Sequence, residues 1–309
     1  MNQKLTIGIP KGSLQESTLS LFSRAGFSFY GSERSLWLGA NDPEIRPVLL
    51  RAQEIPLYVA NGSLDCGLAG RDWIAETRCL DAVRVLADLC YSKRTFRPVR
   101  WVLAVANDSV YTSVEDFKNL GNVPKRVSTE LKQITENWLA ERGIIAEVDF
   151  SWGATEAKVP TFADAIVECT ETGTSLQANG LRILDTVFES TTQFFANKKV
   201  YKTDEWKRNK LEGMALLLRS CLAADVKVTV HVEAPASCQE ALKAAIPPQA
   251  SFSVWQGEES SILIDIIIDK TDARDLVPLL ARHGARRVTV AGLGMLYDEA
   301  VWGRDSSVG

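Results

Sequence analysis

The chain has 309 residues, more than one average core holds, and carries a net charge of −4 with a pI near 5.5. Hydrophobic residues make up 46% and charged residues 24% with no block of like charge, which excludes a general nucleic-acid or membrane-surface binder. No apolar stretch reaches the roughly 18 residues of a membrane span. The opening MNQKLTIGIPKGS alternates like a strand and lacks the apolar core of a signal peptide, so the expected location is the cytoplasm.

In chain order, KLTIGIP (residues 4–10) reads as a strand. SLQESTLSLFSRAG reads as a helix with Ser13 and Glu16 spaced as a capping box and Gly26 as its stop. A strand at Trp37 and Leu38, the strand IRPVLLRA, a helical turn EIPLYVANG and the buried strand LDCGLAG follow. This alternation predicts a parallel sheet with helices on both faces. RWVLAVA opens a second set, continued by a helix near SVEDFKNL, the strand KRVST, the helix ELKQITENWLAERG and the strands AEVDFSW and DAIVEC. ILDTVFESTTQFFANK reads as the return to the first set, and KTDEWKRNKLEGMALLLRSCLA as a connecting helix. The remainder reads β-α-β-β-α-β, the ferredoxin-like order. Three domains follow: residues 1–95 with 185–211, residues 96–184, and residues 212–309. Two α/β lobes joined by crossovers place a cleft at the carboxyl ends of their strands.

The six cysteines, Cys66, Cys79, Cys90, Cys169, Cys221 and Cys238, form no CxxC pair and read as reduced, mostly buried thiols. With only His231 and His283 present, a histidine-based metal site or a Ser-His-Asp triad has little to draw on. His231 reads as a packed strand residue, and His283, before Gly284, as a helix end.

The stretch ETGTSLQANG (residues 171–180) follows the run ADAIVEC. Two readings stay open from these residues alone. One is a plain strand-to-helix turn. The other is a cradle in which backbone N–H groups and the hydroxyls of Thr172, Thr174 and Ser175 surround a phosphate, with Glu168 accepting sugar hydroxyls. Neither a GxxxxGK[ST] nor a GxGxxG fingerprint occurs. Lys11, Gly12 and Ser13 stand at the end of the first strand, and Gly70 and Asp72 at the end of another, with a capping role open to Asp72. Arg51, Lys93, Arg94, Arg97 and Arg100 offer positive charge, with a solvated face as the alternative for most of them. Thr129, Ser151, Thr155 and Glu156 are candidate partners for ribose or pyrophosphate.

The longer string FADAIVECTETGTSLQANGLRIL closely resembles the signature of the ATP phosphoribosyltransferases, which begin histidine biosynthesis. LTIGIPKGSL, EIPLYVANGSLDCGLAGRDWI, RVSTELKQITENWLAERGI and SWGATEAKVP resemble further family segments, in the family's order. The resemblance covers residues 4 to about 200, and the tail resembles more loosely the regulatory domain of the family's long form. It implies a type II periplasmic-binding-protein-like pair of α/β lobes with a C-terminal ferredoxin-like (ACT-like) domain. It implies ATP and phosphoribosyl pyrophosphate as substrates and Mg²⁺ as cofactor, held mostly through substrate phosphates with Glu168 as a contributing carboxylate. Glu168, Glu171, Thr172, Gly173, Thr174, Ser175 and Leu176 are expected on phosphoribosyl pyrophosphate. Lys11, Gly12, Ser13, Arg51, Gly70, Asp72 and Thr155 are expected on ATP or polyphosphate. Many members carry Arg where this chain has Ser13. Histidine is the expected inhibitor, near Glu233, Ser251 and Ser253, and the expected assembly is a dimer or hexamer of identical chains. A solute-binding module and a phosphoribosyltransferase for a free base are the alternatives. The first lacks the expected leader, and members of the second usually lack such a tail.

Overall fold

The computed structural model describes residues 3–32, 34–91, 98–121, 123–258 and 260–298. The chain divides into two compact units, Met1–Ala215 and Leu216–Gly309. The first unit opens with β1 (Leu5–Lys11), α1 (Gln15–Arg24), the ribbon strands β2 (Phe29–Tyr30) and β3 (Gly39–Ala40), and β4 (Ile45–Arg51). Then come α2 (Ile55–Ala60), β5 (Cys66–Gly70), α3 (Arg71–Glu76) and β6 (Val83–Leu89). The second lobe holds β7 (Val99–Ala106), α4 (Val114–Asn119), β8 (Lys125–Thr129), α5 (Lys132–Glu141), β9 (Ala146–Phe150), a 3-10 turn at Thr155–Lys158, β10 (Ala165–Thr170), α6 (Thr174–Ala178) and β11 (Leu181–Ser190). β12 (Thr192–Asn197), α7 (Lys198–Thr203) and α8 (Glu205–Asp225) follow.

Strand order is β4-β1-β5-β12-β6 in the first sheet and β11-β7-β10-β8-β9 in the second. The expected all-parallel sheets are corrected by one returning strand in each. β12 runs antiparallel to β5 and β6, and β7 antiparallel to β10 and β11. The predicted single return strand is in fact two. β11 stays in the second sheet to Ser190, and β12 crosses back after Thr191. β12 is buried along its whole length, which fits its central place in the first sheet.

The capping box does not form. Gly12 has φ 102 and turns the chain, so Leu14 becomes the N-cap of α1 and no side chain caps it. Gly26, at φ 90, ends this helix as expected. Trp37 makes only an isolated bridge to Val48, with the Arg46 guanidinium 4.1 Å over its ring. Each lobe has its own core, one around Ile55, Leu64, Ile74 and Phe195 and one around Phe117, Leu131, Leu139 and Val167. Trp73 packs against both cores and meets Trp101 edge-on at 6.1 Å. Among the described residues no helix is long and apolar enough to cross a membrane.

The second unit contains β13 (Lys227–Pro235), α9 (Gln239–Ala245), β14 (Ser251–Gln256), β15 (Ser261–Asp269), α10 (Lys270–Arg282) and β16 (Arg287–Gly292). Its sheet order β14-β15-β13-β16, antiparallel throughout, is the ferredoxin-like order. α10 buries Ala273, Leu276 and Leu280 against the isoleucines of β15. The opposite face stays open. There His231 is not a packed residue but an exposed one, with Nδ1 2.6 Å from Asp265.

Candidate functional site

A cleft of about 750 Å³ opens between the two lobes of the first unit. Its walls are strand ends. β1 ends in Lys11 with Gly12 next, β4 ends in Arg51 with Gln53 beyond it, β5 ends in Gly70, and β10 ends in Glu168, Cys169 and Thr170. Eight expected site residues line it: Lys11, Gly12, Ser13, Arg51, Gly70, Asp72, Glu168 and Glu171. Thr172, Gly173, Thr174, Ser175 and Leu176 follow Glu171 in the chain but are not among the lining residues, and the Leu176 side chain is buried in a core cluster with Ile166 and Leu181. Glu130, Trp73, Tyr91, Trp101, Cys90 and Cys169 line it too, and the sequence did not reveal them.

The floor is built around Asp72. Its carboxylate accepts from the Trp101 indole Nε1–H at 2.6 Å and from the Trp73 amide at 2.9 Å, while the Asp72 amide donates to Ser190 Oγ at 3.1 Å. Burial pushes the carboxyl above the usual carboxylate range, and the Trp101 and Ser190 hydrogen bonds oppose that rise. Gly70, not Asp72, is the N-cap of α3. Any Cβ on Gly70 would lie 2.0 Å from Asp72 Oδ1, so glycine is required here for space.

At the end of β10, burial also raises Glu168, against hydrogen bonds from the Cys169 amide and the Thr155 hydroxyl. Cys169 lies at the cleft wall as an exposed residue. Burial of its sulfur and the neighbouring carboxylates of Asp72, Glu168, Glu171 and Glu130 push the thiol up to about 12. The expectation of mostly buried thiols holds for Cys66, Cys79 and Cys221, while Cys90 and Cys238 are half-buried.

The loop after β10 has a defined shape. Gly173 sits at φ 81 as the N-cap of α6, and its amide donates to Thr170 Oγ1 at 2.8 Å. Thr172 and Thr174 share a hydroxyl–hydroxyl bond of 2.8 Å and both are exposed. The amides of Ser175 and Leu176, in the first turn of α6, have no acceptor inside the helix. Ser175 Oγ donates to Glu156 Oε1 at 3.1 Å. Thr155 is 1% exposed and its hydroxyl meets Ser151 and Glu168, so it backs the cleft wall and does not face it. Ser151 and Thr129 are equally buried.

Among the described residues the lining cations are Lys11 and Arg51, against the carboxylates of Asp72, Glu130, Glu168 and Glu171. Arg100 is not among the lining residues, and its Nη1 is 3.5 Å from Thr186 Oγ1. Lys93, Arg94 and Arg97 lie outside the described residues. Glu171 Oε2 is buried without a hydrogen-bond partner among the described residues, and no cluster of three ligating side chains occurs among them. Carboxylate oxygens such as those of Glu168 and Glu171 are hard donors of the kind that suit Mg²⁺.

In the second unit Glu233, Ser251 and Ser253 lie on one face of the sheet. Ser253 and His231 both pair with Asp265, Ser251 pairs with Ile267, and Glu233 pairs with Leu263. Arg287 Nη1 is 3.4 Å from Glu233.

A family model described as ATP phosphoribosyltransferase (HisG) matches residues 51–220. The ATP phosphoribosyltransferase of Pelodictyon phaeoclathratiforme is 45% identical over 299 residues, covering 96% of this chain and 99% of that protein. The enzyme of the same name from Pelotomaculum thermopropionicum is 45% identical over 286 residues, covering 92% and 96%. Among solved structures, the ATP phosphoribosyl transferase (HisG:HisZ) complex from Thermotoga maritima matches with a TM-score of 0.58 at 24% identity. That match covers 70% of this chain and 98% of that one, and it bears on the fold.

Proposed function

This chain belongs to the ATP phosphoribosyltransferase family, pentosyltransferases of histidine biosynthesis, and from that premise we propose the chemistry of its cleft. N1 of the adenine of ATP attacks C1 of phosphoribosyl pyrophosphate. The C1–O bond breaks with its electron pair on the leaving pyrophosphate, and the product is N1-(5-phosphoribosyl)-ATP. The ribose carbon becomes electron-poor while the leaving group gathers charge, so positioning and charge neutralisation dominate over any strong base. No residue is assigned as a general base.

The observation that carries this reading is the end of β10. Glu168 and Glu171 line the cleft, and immediately beyond them lies a glycine-turned loop with exposed hydroxyls and the unbonded first-turn amides of Ser175 and Leu176. Glu168 accepts the ribose hydroxyls. The amides and hydroxyls of residues 171–176 hold the 5-phosphate. Lys11 and Arg51 face polyphosphate, with Gly12 and Ser13 at the start of the same turn. With Ser13 at the position where the family resemblance leads one to expect Arg, the Lys11 ammonium has more of that task. Asp72 is a hydrogen-bond acceptor in a buried floor, a surrounding that fits the amino edge of adenine and not its phosphates. Mg²⁺, when bound with the substrates, would supply charge neutralisation to the leaving pyrophosphate, with Glu168 as a contributing carboxylate.

The second unit is assigned to feedback inhibition by histidine, near Glu233 and near Ser251 or Ser253. Assembly as dimers and hexamers of the same chain completes the reading. One assay tests the core of it. With ATP, phosphoribosyl pyrophosphate and Mg²⁺, absorbance of phosphoribosyl-ATP should rise. No product in any condition overturns the reading and leaves a binding module in its place. Histidine titration of the whole chain and of a Glu233→Gln variant tests the inhibitor site, and equal inhibition of both removes it.

A further inference from the structure

The turn that carries Lys11 into the cleft is held from beneath by a buried pair of hydroxyls. Lys11, at the end of β1, and Arg51, at the end of β4, are register partners, so two cations stand side by side at the cleft wall. Gly12 follows with φ 102, and an ideal Cβ there meets nothing within 4 Å. Conformation demands this glycine, and the open space beside it does nothing to fix where the turn points. Leu14 closes the turn as the N-cap of α1, with no side chain capping it. Its carbonyl accepts from the Thr18 amide at 3.0 Å, from Thr18 Oγ1 at 2.7 Å and from Ser17 Oγ at 3.1 Å.

Thr18 is 0% exposed, and its Oγ1 lies 2.7 Å from the Tyr91 hydroxyl. A carbonyl can only accept, so the single hydroxyl proton of Thr18 goes to Leu14 and the Tyr91 hydroxyl donates to Thr18. The line therefore runs one way, from Tyr91 to Thr18 to Leu14, and joins residues 73 positions apart. Its far end is anchored, since the Tyr91 amide donates to the Leu89 carbonyl at the end of β6 at 2.9 Å. Burial pushes the Tyr91 phenol well above its usual range, which keeps it protonated and able to donate. Tyr91 lines the same cleft as Lys11, Gly12, Ser13 and Leu14.

We propose that Tyr91 is a positioning residue for the transfer reaction, holding the turn at residues 11–14 through Thr18 so that the Lys11 ammonium and the amides of Gly12 and Ser13 meet the polyphosphate of ATP. The proposal rests on the assignment of that turn to polyphosphate. Removing the phenol oxygen leaves the ring in place and Thr18 still bonded to Leu14, so the fold survives while the turn loses its tie to β6. The loss falls on ATP and not on phosphoribosyl pyrophosphate, whose assigned loop follows β10 in the other lobe.

The experiment is steady-state kinetics in both substrates with the whole enzyme. Wild type is compared with Tyr91→Phe, Thr18→Val, Thr18→Ser, Lys11→Met and the double variant Tyr91→Phe/Lys11→Met. Tyr91→Phe and Thr18→Val should each raise KM for ATP about five- to tenfold, with kcat and KM for phosphoribosyl pyrophosphate within about twofold. Thr18→Ser, which keeps the hydroxyl, should return KM for ATP to within about twofold of wild type. A merely structural role would lower the folded fraction, which reduces apparent kcat and leaves both KM values alone, so the comparison holds even where a variant is less stable. In the Lys11→Met background Tyr91→Phe should raise KM for ATP by less than about twofold more. A wild-type KM for ATP in both Tyr91→Phe and Thr18→Val overturns the proposal, as does an undiminished cost of Tyr91→Phe in the Lys11→Met background. A raised KM in Tyr91→Phe beside a wild-type KM in Thr18→Val also overturns it, since Tyr91 then touches substrate directly. A Lys11→Met enzyme with the wild-type KM for ATP overturns the polyphosphate assignment instead.

Discussion

The indole Nε1–H of Trp101 donates to Asp72 Oδ2 at 2.6 Å, tying the start of β7 in one lobe to the first turn of α3 in the other. Both residues line the cleft, so this bond is at once a strut between lobes and part of the binding surface.

Asp72→Asn separates these two roles. Burial raises the folded-state pKa of Asp72 above the unfolded value of about 3.9. Across that window the folded chain binds the extra proton, so wild-type stability falls as pH rises through it and levels off above the folded value. The asparagine variant lacks this loss. Its midpoint of thermal unfolding should therefore gain on wild type from about pH 3 to pH 7, while kcat/KM drops at least about tenfold. A stability difference that stays flat with pH would show that Asp72 titrates normally.

Gly70→Ala tests the same floor from beneath. The backbone there is ordinary, φ −64 and ψ 147, so conformation does not demand glycine. The new Cβ would meet Asp72 Oδ1 at 2.0 Å and Ser190 Oγ at 3.1 Å. The expected cost is about 1–3 kcal/mol with Asp72 displaced. Trp101 fluorescence should shift and activity should fall with it. An active alanine variant with unchanged fluorescence would mean that the floor yields without moving Asp72.

Gly173 answers to conformation instead. At φ 81 a side chain costs about 1–2 kcal/mol, and an ideal Cβ lies 3.4 Å from Ile183 Cδ1, an ordinary contact. Gly173→Val should lower the unfolding midpoint by only a few degrees. It should raise KM for phosphoribosyl pyrophosphate at least about tenfold and leave KM for ATP near wild type. Equal changes in both constants would point to a general loss of the lobe.

What the sequence disclosed tracks locality. The turn at residues 171–176 was legible because its glycine and hydroxyls are contiguous, and Gly173 does turn the chain into α6. Trp101 was not, because RWVLAVA reads as a buried strand and nothing local reveals that its indole edge meets a carboxylate 29 positions away. Ser151 and Thr155 were read as substrate contacts, since hydroxyls after a strand suit that role, but burial turns them toward Lys158 and Glu168. The Ser13–Glu16 spacing failed as a capping box because Gly12 bends the chain first. Strand direction was lost where apolar runs look alike, as in β7 and β12, which reverse each sheet.

Glu76 joins the lobes a second time, outside the cleft. Its Oε1 accepts from the Gln133 amide at 2.8 Å and its Oε2 from the Ile134 amide at 2.9 Å. These are first-turn amides of α5, whose own N-cap, Leu131, has no side chain able to accept them. The cap of one lobe's helix is therefore supplied by the other lobe, and α5 begins two residues after Glu130, a cleft residue. Arg78 adds a bond to the Gln133 side chain. Glu76→Ala strips both acceptors and should cost about 1–2 kcal/mol, and Glu76→Gln, which keeps one carbonyl oxygen, about half of that. Hydrogen exchange locates the effect. The amides of Gln133 and Ile134 should exchange faster in Glu76→Ala, with Glu76→Gln between it and wild type, while the helices α9 and α10 keep their protection. Since Glu130 leads into the N-cap of α5, kcat/KM should fall in the same rank order. Unchanged exchange at those two amides in Glu76→Ala would mean that α5 is capped from within its own lobe in solution, and that Asp72 with Trp101 holds the lobes without this second tie.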